Sequence, residues 1–137
     1  GCPQQPQDLP QHAGLLPAVS AVRRELTLYR QTPDGQANDS IRLALPPTVL
    51  ATPQIELILA AALAGLGVAG LPSFVSAQAL REGRLQRLLP DWRGTTLNLY
   101  AAMPTRKYVP ARSRVFIDFL LQTFGGNRND PWLSGAL

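Results

Sequence analysis

Ala60-Ala61-Ala62-Leu63-Ala64-Gly65-Leu66-Gly67-Val68-Ala69-Gly70-Leu71-Pro72 decides how this chain folds. Gly65, Gly67 and Gly70 spell G-x-G-x-x-G, the spacing of dinucleotide-binding loops. Such a loop needs a strand before the glycines and a helix after them, so that a phosphate meets the helix N-terminus. Here the order is reversed. Thr52-Pro53 predicts a helix start, with the threonine hydroxyl capping free amides and proline at the first helical position. Ile55, Leu59, Ala62 and Leu63 then fall on one helical face, and Gly65 supplies a left-handed exit. Val68 to Leu71 reads as a short buried strand stopped by Pro72. No acidic residue stands about twenty residues beyond a strand in the right unit to hold a ribose. Gly65 and Gly67 therefore turn a helix back into a sheet, and Gly70 eases close packing.

Towards the N-terminus, residues 1–20 carry four prolines and little periodicity, which predicts an extended opening segment. A short turn is expected around Asp8-Leu9-Pro10-Gln11-His12, before Leu15 and Leu16 enter a core. Arg24, Leu26, Leu28 and Arg30 frame a strand, and Ile41, Leu43 and Leu45 a second one paired with it. Thr32-Pro33-Asp34-Gly35 is the turn between them, and Pro46-Pro47 ends the pair. Towards the C-terminus, Ser76 to Gly83 reads as a shorter helix, Leu85 to Leu89 as a short apolar segment, and Thr95 to Met103 as a late strand. A final helix is predicted over Ala111 to Phe124, with Val115, Phe116, Phe119 and Leu120 as its apolar stripe. Gly125-Gly126 stop it, and Asn127 to Leu137 form a tail in which Trp132 and Leu133 could dock.

A chain of 137 residues, 45% hydrophobic and 16% charged, suits one globular domain. No apolar run reaches the roughly 20 residues of a membrane helix; Ile55 to Leu71 is interrupted by Glu56 and three glycines. The start at Gly1-Cys2-Pro3 lacks a methionine and a signal peptide, so we expect an excised piece of a longer protein. The single cysteine, Cys2, cannot form an internal disulfide, which fits a reducing cytoplasm. Net charge is +4, concentrated in Arg81, Arg84, Arg87, Arg93, Arg106, Lys107, Arg112 and Arg114. Without aromatic interleaving or a nucleic-acid-binding signature, that stretch reads as a solvated face.

Catalysis finds little footing. His12 is the only histidine, and it shares the proline-rich opening segment with Cys2. There is no P-loop lysine, no G-x-S-x-G elbow and no histidine beside a serine; Ser73 and Ser76 read as turn and cap residues. Glu82 and Asp91 sit in polar surroundings. An enzyme, a cofactor and a metal are therefore not expected. What remains is ligand binding, for which the helix start at Thr52 to Gln54 offers amides and a hydroxyl to a small anion. On physical grounds alone, a plain helix cap is the reading these residues favour.

Residues 60–125 resemble the C-terminal part of the effector-binding domain of LysR-type transcriptional regulators. The resemblance rests on Ala62 to Pro72, Leu80-Arg81-Glu82-Gly83-Arg84-Leu85, Leu88-Leu89-Pro90-Asp91-Trp92, Leu99-Tyr100-Ala101-Ala102-Met103-Pro104 and Phe116-Ile117-Asp118-Phe119-Leu120. Five such pieces in the right order are specific, and Gly1 to His12 resembles the family's passage into its second subdomain. The resemblance implies an α/β fold: a truncated periplasmic-binding-protein-like (type II) lobe, its mixed sheet flanked by helices. Residues 1–104 would be the second lobe, 105–125 a linker and a helix returning to the first lobe, and 126–137 a tail. The family's cleft implies ligand contacts from Ala51, Thr52, Pro53, Gln54 and Val68. Members often carry asparagine–aspartate at this helix start, where this chain has Thr52-Pro53. They also commonly carry a tryptophan in the first strand, where it has Leu26 or Leu28.

Implied partners are a small-molecule effector, an organic acid, and further copies of the chain in a homodimer or homotetramer. DNA would be reached only through an absent N-terminal helix-turn-helix domain, and no membrane is involved. The helix from Pro53 and the strand near Leu99 are expected at dimer contacts. The alternatives are a lobe of a transporter-type solute-binding protein, which shares the fold, and, behind it, a nucleotide-binding enzyme.

Overall fold

In the computed structural model, helix α1 (Ile55–Leu63) runs into a turn at Ala64-Gly65 and then into strand β5 (Val68–Ala69). The structure describes residues 1–18, 25–31, 39–96, 100, 102, 110–124 and 132. Helix, glycine, strand is the order expected from the sequence. Gly65 has φ +74°, its amide donates to Ala62 O (2.9 Å), and the Leu66 amide reaches back to Ala61 O (3.1 Å). Both are bonds of a Schellman C-cap. The pattern recurs after α2 (Ser73–Arg81), where Gly83 has φ +68° and the Gly83 and Arg84 amides donate to Leu80 O and Ala79 O (3.0 and 2.9 Å).

Around this unit lies a parallel three-stranded sheet in the order β4–β1–β5, with β1 at Gly14–Pro17 and β4 at Thr48–Thr52. Central β1 pairs Pro17 with Thr52 on one side and Gly14 with Val68 on the other. A second sheet holds β2 (Glu25–Arg30) between β3 (Ser40–Ala44) and β6 (Trp92–Arg93), all antiparallel. The expected mixture of pairings is present, divided between two sheets. Register places Leu26 opposite Leu43 and Leu28 opposite Ile41, so alternation sends them to one face. There Leu28, Leu9 and Leu89 form one buried cluster. Leu9 comes from a short 3-10 helix, Pro6–Gln11, the turn expected near Asp8. A second cluster packs Leu15 of β1 against Ile58 and Ala61 of α1.

Several boundaries differ from the sequence reading. β4 was not expected, because Pro46-Pro47 and Pro53 bracket it closely and Thr52-Pro53 mimics a helix start. Thr52 in fact ends β4; α1 begins at Ile55, with Gln54 as its N-cap residue, and the buried side of α1 is Ile58 and Ala61. α2 begins at Ser73, three residues early, so Ser76 lies inside it and its hydroxyl donates to Pro72 O (3.3 Å). Close packing at the glycines belongs to Gly67 rather than Gly70. A methyl on Gly67 would collide with the Ala13 carbonyl, whereas one on Gly70 meets Leu16 Cδ2 at an ordinary 3.8 Å. The strand expected over 95–103 lies largely outside the described residues, and Thr95, Thr96, Tyr100 and Ala102 are in no strand. The turn at 32–35 also falls outside them. Helix α3 (Ala111–Phe124) matches its expected limits, yet its apolar stripe is unburied. No helix among the described residues is long and apolar enough to cross a membrane.

Candidate functional site

Parallel strands send their carboxyl ends to one edge, and in open α/β sheets that edge is where ligands collect. Here it is formed by Pro17-Ala18 after β1, Thr52-Pro53-Gln54 after β4 and Gly70-Leu71-Pro72 after β5. The Gly70 amide donates to Leu15 O (3.2 Å), which holds the β5 exit level with the end of β1. Both helices start at this edge, because each follows its strand directly. A helix start leaves first-turn amides without intrahelical acceptors and carries partial positive charge.

At α1, the Thr52 Oγ1 accepts the Gln54 amide (3.2 Å), fixing the bend between strand and helix. The Gln54 carbonyl accepts the Leu57 and Ile58 amides (3.2 and 3.4 Å), and no side chain caps the helix. Thr52 is thus a turn residue, not the cap that its sequence position implies. Thr52 is half-buried; Ala51, Pro53 and Gln54 are exposed. Glu56 stands in the first turn and opposes an incoming anion with its own charge. At α2, Pro72 is the N-cap residue, and its carbonyl accepts the Val75 and Ser76 amides (3.1 and 3.2 Å). Ser73, half-buried, is the first helical residue.

The structure therefore brings Ala51, Thr52, Pro53 and Gln54 together, and it places Val68 elsewhere. Val68 is level with Gly14 and Thr48, whereas Thr52 is level with Pro17. Three residue steps along β1, from Gly14 to Pro17, separate those levels, about 10 Å. Val68 donates its amide to Ala13 O (2.8 Å) and packs against the Leu9–Leu28–Leu89 cluster. The sequence reading missed Pro17, Ala18, Pro72 and Ser73. Their signal was topological: each ends or follows a strand of the parallel sheet.

Among the described residues, no group of three His, Cys, Asp or Glu could hold a metal ion, and no polar or charged side chain is buried. Cys2 and His12 line one shallow depression with Asp8, with no hydrogen bond joining them; Cys2 Sγ points to Gln86 Oε1 at 3.9 Å. Asp8 is held below the ordinary carboxylate value by the Gln4 and Gln5 amides, which donate to its Oδ2 (3.0 and 3.1 Å). Its role is to tie down the 3-10 helix. The chemistry this arrangement offers is neutral hydrogen-bond donors, backbone amides and hydroxyls, at the edge of a sheet.

The family model described as the LysR substrate binding domain matches residues 2–125. A 61-residue stretch is 46% identical to the HTH-type transcriptional regulator PtxR of Pseudomonas aeruginosa, covering 44% of this chain and 20% of that protein. An HTH-type transcriptional regulator of Haemophilus influenzae is 31% identical over 112 residues, 82% of this chain and 36% of its own length. The chain thus spans well under half of these curated relatives. The regulatory domain of AphB in Vibrio vulnificus superposes with a TM-score of 0.62 at 19% identity, over 89% of this chain and 57% of that one. That likeness shows a shared fold, the periplasmic-binding-protein-like one. With a match running almost from end to end, this chain belongs to the LysR substrate-binding domain family.

Proposed function

We propose that the chain is the second lobe, over residues 1–104, of the effector-binding domain of a cytoplasmic LysR-type transcriptional regulator, and not an enzyme. The carrying observation is the meeting of two helix starts and three strand ends at Thr52–Gln54 and Pro72-Ser73, within a chain of this family. The effector is a small organic acid. Its carboxylate is received by the first-turn amides of α1 and α2 with the Thr52 and Ser73 hydroxyls. The facing wall of the cleft belongs to the first lobe, to which α3 returns. Binding across the cleft favours one arrangement of the lobes, and that preference passes to how subunits of a homodimer or homotetramer present their DNA-binding domains. The relatives carry regulator names, which favours this reading over a transport protein of the same fold.

Thermal unfolding of the chain against a panel of small carboxylic acids tests the site. A ligand at a hundred times its Kd adds about 2.7 kcal/mol, which at about 3–5 °C per kcal/mol is roughly 8–14 °C in a domain of this size. Thr52→Val removes a hydroxyl while keeping the shape, so its shift with the same acid should shrink by about half or more, the loss of one hydrogen bond to a charged group. An acid that stabilises Thr52→Val and Gln54→Ala as strongly as the parent binds elsewhere and sinks the assignment.

A further inference from the structure

α3 is weakly held by its own packing: none of its residues is buried, and Val115, Phe116, Phe119, Leu121 and Phe124 remain largely exposed. Its C-terminal end is nevertheless engaged. The Trp132 indole stacks on Phe124, with ring centroids 5.6 Å apart and planes 14° from parallel. The same indole meets Phe74 edge-on at 6.0 Å and 62°. Both geometries are those that aromatic quadrupoles favour. Phe74 is the second residue of α2, next to Ser73 and Pro72. The aromatic bridge therefore runs from the end of α3 to the sheet edge where α2 begins. Trp132 also lies beyond residues 2–125, the part the family model matches.

We propose that Trp132 is a clasp, a positioning residue that pins the end of α3 to the start of α2. Its regulatory consequence rests on the function proposed above: a ligand seated at the α2 start meets the foot of the clasp. Displacing Phe74 loosens α3, and holding Phe74 steadies it. By linkage, the state of the clasp biases ligand affinity in return. A helix returning to the first lobe would thereby be tied to the second lobe at the cleft rim.

Two measurements on the full chain test the clasp without any effector, so their outcome is independent of whether the regulator reading holds. Trp92→Phe leaves Trp132 as the sole indole. Its emission should be blue-shifted and slow to quench with acrylamide, and Phe74→Ala or Phe124→Ala should move both towards the values of a free indole. Hydrogen exchange should then show residues 111–124 opening about tenfold faster in Trp132→Ala, the scale of losing two aromatic pairs. Trp132→Phe should restore most of the protection. Unchanged exchange over 55–63 serves as the control against general unfolding. An indole that quenches like the free amino acid in Trp92→Phe, or exchange in α3 indifferent to Trp132→Ala, overturns the proposal.

Discussion

Gly65, Gly67 and Gly70 occupy three different physical situations, and substitution by alanine should separate them. At Gly65 the left-handed φ of +74° is the constraint, since no atom lies within 4 Å of an added methyl. Gly65→Ala should cost about 1–2 kcal/mol from backbone strain. At Gly67 the constraint is space. The methyl would strike the Ala13 carbonyl, whose oxygen already accepts the Val68 amide. Crowding there should cost about 1–3 kcal/mol. Gly70→Ala should stay within about 0.5 kcal/mol. Urea unfolding of the three variants checks the order, and a Gly70 variant as damaged as Gly67 would contradict the packing. Asp8 gives a second prediction at this scale, with a sign. Its folded pKa is lowered by the two amides, so its ionised form adds stability above the unfolded pKa and loses it as pH falls through the folded one. Asp8→Asn should therefore be less stable than the parent near neutrality and converge with it in acid. A stability gap unchanged between the two pH values would show that the charge is not the cause.

Among the elements, α1 and α3 make opposite use of similar apolar sequence. Ile58 of α1 is fully buried against Leu15, and Ile58→Ala should cost about 2–5 kcal/mol. Phe119 of α3 is 57% exposed, so Phe119→Lys should change stability by no more than about 0.5 kcal/mol. Chemical denaturation compares them directly; a large loss at Phe119 would mean that the stripe is already covered in the chain. The limits of α3 were legible because Pro110 and Gly125-Gly126 bracket a long periodic run. The β2–β3 pair was legible because its apolar residues alternate. β1 and β4 were not. They are four and five residues long, too short for a period to show, and their parallel pairing joins residues more than thirty positions apart. The unburied face of α3 was equally hidden, because an amphipathic stripe states that a partner exists and not that it lies in the same chain. For the candidate site, Ala51 to Gln54 could be placed from family resemblance. Val68, named with them, lies at the opposite end of β1 from Thr52, level with Gly14.

For the whole molecule, the decisive residue is this same Val68. The described core consists of two clusters, one on the antiparallel sheet around Leu28 and one between the parallel sheet and α1 around Ile58. Val68 belongs by hydrogen bonding to the parallel sheet, opposite Gly14, and by packing to the Leu28 cluster. It joins two cores that could otherwise melt separately. Trp92 packs on the Leu28 cluster, so in a Trp132→Phe background its fluorescence reports that side alone, while far-UV circular dichroism reports the helices. The two transitions should coincide in this background, as for a single cooperative unit. Leu28→Ala should then lower both midpoints together even though Leu28 belongs to the cluster that does not include α1. Val68→Ala, a loss of about 1–2 kcal/mol on packing grounds, should do more than shift a midpoint: the fluorescence transition should come away from the helical one. Separate transitions before Val68 is touched would show two independent units. Coincident transitions in Val68→Ala would place the coupling elsewhere and leave Val68 an ordinary core residue.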